Sequence, residues 1–455
     1  MKQLIQNQRD FFKSQQTKDV SFRKEYLKKL KVEIEKNEDL ICDAIYADFK
    51  KPRFETILSE TQFVLAELKT AINKIEKWST PKRVSSTWAN WPSSDFIYKE
   101  PYGAVLIIAP WNYPFQLVFA PLIGAIAAGN TAVVKPSEHT PNTSKIIVNI
   151  IEAIFPKEYV TVVEGDSTIS QQLLAERWDY IFFTGSTRVG QIVYESAAKF
   201  LTPVTLELGG KNPTIVDETA NLKVAADRIA WGKFLNAGQT CIATDYIIAH
   251  HSIKDELINQ LKKSITTFYG DNMETSIDFS RTVNKGHYDG LKKMLIDEEI
   301  LFGGETNDTD NYISPTLVNQ PKMDSELMKG EIFGPILPIL SYTSQEDIDN
   351  LITSYGKPLA TYIFSTNKKF QNKIITKYSF GGGAINDTVI HIANKKLPFG
   401  GVGASGIGAY HGKISFDIFS HSKAILKKGT WLDIPLRYPP YNLPLKYAKK
   451  LKNLF

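Results

Sequence analysis

A cysteine and a glutamate stand on two glycine-flanked segments of this sequence and could form a catalytic pair. Glu207 lies in a short alternating apolar run that Gly209-Gly210 interrupts, and Cys241 follows Gly238-Gln239-Thr240. A thiol nucleophile uses such a pair, because the thiolate attacks a carbonyl carbon and a separate base later activates water. Taken alone, the cysteine has a commoner explanation as a small buried apolar side chain, and the glutamate as a strand-end charge.

The segment P-W-N-Y-P, residues 110–114, adds a candidate for stabilising a developing negative charge. The amide of Asn112, held between rigid prolines and bulky aromatic side chains, could donate a hydrogen bond to an oxyanion. A simple turn is the commoner explanation of Asn-x-Pro. Asn112 therefore becomes a candidate oxyanion donor only in combination with the other motifs.

Residues 183–190, F-T-G-S-T-R-V-G, predict a phosphate-binding turn. They follow a predicted strand and open a predicted helix, whose free N–H groups can hold a pyrophosphate. The turn lacks the middle glycine of G-x-G-x-x-G, and an ordinary helix cap explains it about as often. Lys135, in the segment V-V-K-P-S-E, also ends a strand, where its ammonium group could hold ribose hydroxyls or simply face solvent in a turn.

The segment E-I-F-G-P, residues 331–335, places an acid and an aromatic side chain before a Gly-Pro turn. Glu331 could hold a sugar and Phe333 could contact a flat ring. The adjacent pair His250-His251 has no Cys or His at metal-ligand spacing, so the sequence predicts no metal site.

Parallel strands and helices are the elements that must position these residues. Near-continuous apolar strands alternate with helices over residues 104–208, which is typical of a doubly wound sheet that is covered on both faces. Residues 1–80 predict two or more amphipathic helices, and a second α/β unit begins after Gly210 and runs to Ile385. The predicted fold class is α/β.

Composition limits the possible functions. The chain has 455 residues, of which 43% are hydrophobic and 23% charged, so it can bury a large core. Its net charge of +5 comes from 54 basic and 49 acidic residues, and this near balance predicts no nucleic-acid partner. Two cysteines cannot form a disulfide framework, and the N-terminus has no apolar signal region, so we expect a cytoplasmic protein without a membrane span.

Together, and in this order, the motifs resemble the aldehyde dehydrogenase superfamily. The ending, Y-H-G-K-I-S-F-D-I-F-S-H-S-K followed by R-Y-P-P-Y, is similar to the class 3 branch, the fatty and aromatic aldehyde enzymes. The matching segments span residues 101–423 and are P-W-N-Y-P, V-V-K-P-S-E, F-F-T-G-S-T-R-V-G, L-E-L-G-G-K-N-P, N-A-G-Q-T-C, E-I-F-G-P, I-N-D and L-P-F-G-G-V-G-A-S-G-I-G.

The resemblance implies a role for each candidate. Cys241 would be the nucleophile, Asn112 and the backbone N–H of Cys241 would form the oxyanion hole, and Glu207 would activate water. Glu331 has also been considered as a base in this branch. The expected cofactor is NAD, with NADP possible, and the implied cofactor contacts are Lys135, Glu138, Gly185, Ser186, Gly190, Glu331 and Phe333.

The resemblance also implies a division of the chain and an assembly. Residues 1–80 and 101–208 would form a Rossmann-like NAD(P)-binding domain, and residues 209–390 an α/β catalytic domain. Residues 81–100 and 391–455 would form a small β arm and tail that bridge the subunits of a homodimer. The basic C-terminal end repeats Leu445, Ala448, Leu451 and Leu454 or Phe455 at helical spacing, which also allows weak contact with a membrane surface.

Two other functions fit the same motifs. A coenzyme A-acylating aldehyde dehydrogenase resembles this fold but generally lacks the glutamate at Glu207, so this residue favours hydrolysis of the thioester. A non-catalytic protein that keeps the fold would not be expected to retain Asn112, Glu207 and Cys241 together. The sequence does not identify the aldehyde.

Overall fold

A computed structural model describes residues 1–433, 435–442 and 444–449, except for the side chain of residue 436. The predicted βα alternation is present, and most element bounds lie within a few residues of the expected ones. The helices are α1 Lys2–Lys13, α2 Val20–Lys36, α3 Glu38–Phe49, α4 Arg53–Thr56, α5 Gln62–Ser79, α6 Gln116–Ala128, α7 Pro141–Ile154, α8 Ser167–Leu174, α9 Thr187–Ala198, α10 Leu222–Phe234, α11 Lys254–Tyr269, α12 Lys285–Lys293, α13 Gln345–Thr353, α14 Lys368–Lys377, α15 Lys413–Ile418 and α16 Leu445–Ala448.

The strands form three larger sheets and one short hairpin. They are β1 Lys82–Val84, β2 Ser93–Pro101, β3 Ala104–Ile108, β4 Thr131–Lys135, β5 Val160–Val162, β6 Tyr180–Thr184, β7 Val204–Glu207, β8 Pro213–Val216, β9 Tyr246–His250, β10 Ile300–Phe302, β11 Thr306–Asn307, β12 Tyr312–Ile313, β13 Thr316–Asn319, β14 Ile336–Tyr342, β15 Ala360–Phe364, β16 Gly382–Ile385, β17 Gly406–Ile407 and β18 Ser420–Lys428.

The first large sheet has the order β17-β7-β6-β3-β4-β5, and all its pairs are parallel except β17 with β7. Strand β3 pairs with β4 on one side and with β6 on the other, so the chain reverses direction across the sheet at β3. Ligands of such sheets bind beyond the strand ends at this reversal. The loops after β3 and β6 carry Asn112 and Gly185, which confirms the predicted doubly wound arrangement around them.

The second large sheet has the order β10-β13-β14-β9-β8-β15-β16, and its pairs are parallel except β10 with β13. Its strands β8 and β15 are fully buried, as expected for strands covered on both faces. Helix α10 connects β8 to the segment that carries Cys241, and β9 follows that segment. The nucleophile candidate is therefore fixed between a helix end and a central strand.

Strands β1, β2 and β18, which come mainly from the residues expected to form the arm, make a three-stranded antiparallel sheet, the arm sheet. One part of residues 391–455 lies elsewhere than the sequence suggested. Strand β17 pairs with β7 of the first sheet, and Gly124 of α6 lies so close to Ser415 of α15 that a Cβ there would be 2.7 Å from the Ser415 Cβ. Strand β17 thus extends the first sheet and α15 packs on α6, because glycines such as Gly406 allow a close backbone approach that apolar periodicity does not reveal.

Helices α2, α3 and α5 pack into one large core with one face of the first sheet, whereas Ile5 of α1 packs with strand residues of the other face. At the other end of the chain, Leu445 and Ala448 lie in the short helix α16, and Leu445 is exposed. The rest of the predicted amphipathic repeat, Leu451, Leu454 and Phe455, lies outside the described residues. Within the described ranges no helix is long and apolar enough to cross a membrane.

Candidate active site

The turn that presents Cys241 has an unusual backbone. Asn236, Ala237 and Gly238 are three consecutive residues with positive φ angles of 55°, 52° and 73°. A Cβ on Gly238 would lie 2.2 Å from the carbonyl oxygen of Gly334, so this turn and the loop after Glu331 touch through their backbones. Positive φ costs energy for Asn and Ala, and such strain persists only where surrounding contacts fix it.

Hydrogen bonds from buried amides supply those contacts. Asn236 Nδ2 donates to the carbonyl oxygens of Asn112 (2.9 Å) and Gln239 (3.1 Å), and Asn112 Nδ2 donates to the same Gln239 oxygen (3.0 Å). The side chain of Gln239 spans from the Asn236 carbonyl to the backbone of Arg281 and Val283. Asn112 is therefore held beside the nucleophile turn, and the second N–H of its amide is available for an oxyanion.

Asn212, the residue before β8, fixes the chain on the other side of Cys241. Its Nδ2 donates to the carbonyl oxygens of Cys241 (2.7 Å) and Ala243 (3.1 Å), and its Oδ1 accepts from the N–H of Ala360. The hydroxyl of Tyr362 donates to the carbonyl oxygen of Ile242. These bonds fix the backbone from which the Cys241 side chain projects. Apart from its place in K-N-P, no local sequence pattern identified Asn212.

Burial controls the charges at the reaction centre. Glu207 ends β7, is 2% exposed, and neither of its carboxylate oxygens has a hydrogen-bond partner. Burial raises the pKa of Glu207 well above its usual value. Burial, and the proximity of Glu331 and Glu207, also raise the pKa of the half-buried Cys241 thiol, whereas the backbone N–H groups of Cys241 and Ile242 lower it.

A buried ion pair anchors the loop that carries Glu331. Lys211 Nζ lies 2.9 Å from Asp245 and donates to the carbonyl oxygens of Leu327 and Gly330, while Asp245 accepts from the N–H of Ile332. Breaking such a pair leaves a buried uncompensated charge. The geometry of the Glu331 loop therefore depends on the L-G-G-K segment at the start of the second sheet.

Gly209 makes room for the Glu331 carboxylate. A Cβ on Gly209 would lie 2.0 Å from Glu331 Oε2, so only glycine fits there. Burial, reinforced by Asp245, raises the pKa of Glu331 to about 8, although the N–H of Gly210 and the lysines Lys211 and Lys233 oppose the shift. Glu331 Oε1 is buried without a partner, which leaves it free to accept a hydrogen bond from a ligand hydroxyl.

One cleft of about 350 Å³ collects most of the predicted site residues. They are Asn112, Gly185, Ser186, Glu207, Cys241, Glu331 and Phe333. Three aromatic or imidazole rings line the same cleft. Trp111 packs edge-on against Phe333 at a centroid distance of 5.3 Å, and His287 Nε2 contacts the Phe333 carbonyl oxygen at 2.8 Å. Sequence reasoning missed His287, which lies on a polar helix with no motif.

The remaining cofactor candidates lie outside this cleft. Lys135 ends β4 and forms an ion pair of 2.5 Å with Glu138. Although burial opposes the change, that hydrogen bond lowers the pKa of Glu138. Gly190 is buried in α9, where a Cβ would lie 2.6 Å from Leu208, so its glycine allows close packing of helix on strand.

The N-terminus of α9 is capped by the side chain of Ser186, which accepts from the N–H of Val189 (3.4 Å). The ordinary cap that the sequence allowed is therefore present. It does not conflict with a phosphate site, because a helix has several unpaired N–H groups in its first turn. With the unpartnered Glu331 oxygen, these groups fit a dinucleotide.

Comparison with known proteins identifies the family. Residues 1–425 match the aldehyde dehydrogenase family. The chain belongs to this family. It is 50% identical over 451 residues to 4,4'-diaponeurosporen-aldehyde dehydrogenase of Staphylococcus aureus, covering 99% of this chain and 98% of that protein. It is 42% identical to rat aldehyde dehydrogenase family 3 member A2, covering 97% and 91% of the two chains.

A solved structure shares the whole architecture. Staphylococcus aureus AldH in a substrate-bound state superposes with a TM-score of 0.97 at 50% identity, covering 99% of each chain. The predicted fold, the class 3 branch and the use of NAD or NADP are thereby confirmed for this aldehyde dehydrogenase. It is an oxidoreductase that acts on aldehydes.

A second, mostly apolar cavity of about 180 Å³ also reaches Cys241 and Glu207. Five residues line both this cavity and the cleft that contains the predicted cofactor contacts, which is called the cofactor cleft. They are Leu117, Thr184, Glu207, Leu208 and Cys241. The other apolar lining residues are Leu58, Phe63, Trp231, Leu235, Ile242, Leu359, Val389, Ile390, Ile392, Ala393 and Phe399. Cys241 and Glu207 thus lie between the cofactor cleft, which has polar groups, and this apolar cavity (the apolar tunnel).

Replacement of Asn112 by alanine is expected to lower kcat by about 10²–10³-fold, because one preorganised oxyanion donor is lost. Asn112 also donates to the Gln239 carbonyl, so its removal should cost about 1–3 kcal/mol of folding free energy. Steady-state rates of NAD(P)H formation, with the thermal midpoint and cofactor affinity measured in parallel, separate the two effects. A kcat within threefold of the parent would contradict the oxyanion role.

Proposed function

We propose that this aldehyde dehydrogenase oxidises long, apolar aldehydes, aliphatic or aromatic, to carboxylic acids. The observation that carries the proposal is the apolar cavity that ends at Cys241 and Glu207. Burial of a long hydrocarbon tail in such a cavity contributes roughly 0.8 kcal/mol per CH₂ group. The name of the Staphylococcus aureus relative, which refers to an aldehyde of diaponeurosporene, supports a large apolar substrate.

In the proposed mechanism the thiolate of Cys241 adds to the aldehyde carbon. The Asn112 amide and the backbone N–H of Cys241 donate to the resulting oxyanion, in a site where water is largely excluded. NAD bound in the cleft would supply the hydride acceptor, and Cys241 would be left as a thioester when the oxyanion collapses and the aldehyde carbon loses its hydride. Glu207 then takes a proton from the water that attacks the thioester, and the carboxylic acid leaves.

Several residues position these groups for the proposed reaction. Asn212 and Tyr362 hold the backbone on both sides of Cys241, which fixes the direction of thiol attack. Glu331, in the space above Gly209, would bind hydroxyls of the nicotinamide ribose, and Phe333 with Trp111 would border the ring. Lys135 and Glu138 would meet the adenosine ribose, where the Glu138 carboxylate would repel a 2′-phosphate and favour NAD over NADP.

The experiment is the initial rate of NADH and NADPH formation with acetaldehyde, butanal, octanal, dodecanal, benzaldehyde and a polyene aldehyde such as retinal. We expect kcat/KM to rise with apolar length and NAD to be preferred. Flat or falling rates with length would contradict the substrate class. Turnover only after addition of coenzyme A would replace hydrolysis by acylation and remove the role of Glu207 as a base.

We also propose that the arm joins two copies of the chain in a homodimer. Strand β18 is an outer strand of the arm sheet, and its Ile425 and Leu426 are more than two-fifths exposed. Exposed apolar strand edges are usually covered by a partner. Light scattering should give twice the chain mass, and an Ile425→Asp, Leu426→Lys variant should give the monomer mass; equal masses would contradict the proposal.

A further inference from the structure

One acidic side chain stands in the wall of the apolar tunnel and has no part in the mechanism above. Glu55 lies in α4, where the helix passes into a wider π-helical turn over Ile57–Thr61. It lines the cavity together with Leu58 and Ser59 from that turn. Glu55 and Glu207 are the two carboxylic acids in the lining of this cavity.

The Glu55 carboxylate is fixed to the nucleophile turn. Its Oε2 accepts a hydrogen bond of 3.0 Å from the backbone N–H of Asn236. Asn236 in turn donates to the Asn112 and Gln239 carbonyl oxygens. The Glu55 carboxyl is therefore connected through Asn236 to Asn112, whose amide is the proposed oxyanion donor. It cannot rotate out of the cavity without breaking its hydrogen bond to the Asn236 N–H.

The charged and titratable groups facing Glu55 leave its charge only partly compensated. Lys51 lowers the pKa of Glu55, but its ammonium group is committed to the fully buried Glu60 at 2.9 Å and to the Tyr113 ring at 3.8 Å. Asp278 opposes Lys51 and raises the pKa. Tyr113 and Tyr269 also face Glu55, and burial raises their own pKa values well above the usual one, so both stay neutral.

We propose that Glu55 is a specificity-determining residue that couples the binding of apolar aldehydes to the uptake of one proton. A hydrocarbon tail that fills the tunnel removes water from the Glu55 carboxylate. Loss of that water disfavours the charged form, since nothing in the tail replaces its solvation. Apolar substrates therefore bind best to the enzyme whose Glu55 is neutral. The inference rests on the proposed substrate class and deepens it.

The direction of the pH effect follows from the state of the free enzyme. Burial raises the pKa of Glu55 to about 7, so the carboxyl is about half ionised near neutral pH. Below this value the acid is already neutral and binding is unaffected by pH. Above it, each ionised carboxyl must first take up a proton, so the affinity for apolar ligands falls until the pH passes the pKa of the complex.

The test measures binding and turnover separately. Titration calorimetry of the full-length enzyme with 1-octanol, an apolar probe that is not an aldehyde, is done at pH 7 in phosphate and in Tris, whose ionisation enthalpies differ. We expect uptake of up to about half a proton per octanol in the parent enzyme. The isosteric Glu55→Gln variant keeps an oxygen acceptor for the Asn236 N–H and should show none. Ile390→Val, from another segment of the cavity wall, is the control and should retain the uptake.

Kinetics give the second readout. For octanal, KM should rise about fivefold between pH 7 and 9 for a one-unit rise in the Glu55 pKa on binding, and this rise should disappear in Glu55→Gln. Acetaldehyde, which has no tail to fill the tunnel, should show no such rise in KM.

Three results would overturn the inference. They are equal proton uptake in the parent and Glu55→Gln, absence of octanol binding to the parent, and a KM profile in the variant that is the same as in the parent. Proton-coupled octanol binding without oxidation of any aldehyde would instead overturn the proposed function and keep the role of Glu55.

Discussion

Replacement of Cys241 with alanine is expected to lower kcat/KM for aldehyde oxidation by at least about 10⁴-fold, because no other group in the site can form the covalent intermediate. Cys241 is the cysteine that lines both the cofactor cleft and the apolar cavity. Its side chain is half-buried, so its removal should leave the folded state nearly as stable as before. The measurement is NADH formation from octanal, with the thermal midpoint as a check on folding.

Cys42 provides a matched control, since it is the other cysteine of the chain. It is fully buried in α3 and lies apart from the residues that line the site cavities, so neither a substrate nor a labelling reagent can reach it. Cys42→Ala should keep the rate of the parent, with a small loss of stability from the cavity. Thiol labelling should be lost in Cys241→Ala and kept in Cys42→Ala. Activity that survived in Cys241→Ala would remove covalent catalysis from the mechanism.

Much of the site's environment was predictable from the sequence because parallel strands have a simple pattern. The run A-V-L-I-I predicted β3 with its bounds, and Asn112 and Gly185 followed strand ends that the fold brings to one edge. Helical spacing was less reliable at individual positions. Val32 and Leu40 fit the apolar repeats of their helices, yet they are 62% and 56% exposed. An apolar repeat predicts which face of a helix is buried, but it does not predict which residues of that face a neighbouring element covers.

The residues that sequence reasoning missed act through contacts between distant segments. Asn212 holds the Cys241 carbonyl, Lys211 and Asp245 anchor the Glu331 loop, and Glu55 bonds to the N–H of Asn236. Each has an ordinary local setting, and its importance arises only from the partner that folding brings to it. The close approach at Gly209 is similar, because a glycine in a G-G turn does not reveal that a carboxylate will occupy the space beside it.

The left-handed run before Cys241 links these observations. Asn236 and Ala237 adopt positive φ although neither is glycine, so the chain must hold the turn with other bonds. Those bonds come from the loop after β3 through Asn112, from the end of the turn itself through Gln239, and from α4 through Glu55. The turn before Cys241 is thus held in part by side chains from segments that are far apart in the sequence.

Replacement of Glu207 with glutamine is expected to block hydrolysis of the thioester while leaving its formation largely intact. Glu207 is 2% exposed, and its two oxygens have no protein partner, so it can bind a water without breaking a structural bond. Loss of a general base typically lowers the rate of its step by about 10²–10⁴-fold. We therefore expect rapid release of about one NADH per active site, followed by a slow steady state, in a stopped-flow trace.

Glu331→Gln is the variant that decides between the two candidate bases. Glu331 lies in the cofactor cleft and not in the lining of the apolar cavity, with a carboxylate that burial keeps partly neutral near pH 8. If Glu331 holds the ribose, its loss should raise KM for NAD and slow the first turnover, so no burst should appear. A burst in Glu331→Gln and none in Glu207→Gln would reverse the assignment. Mass spectrometry of the quenched enzyme should find the acyl group on Cys241 in whichever variant lacks the base, because the thioester accumulates only when the water that attacks it is not deprotonated.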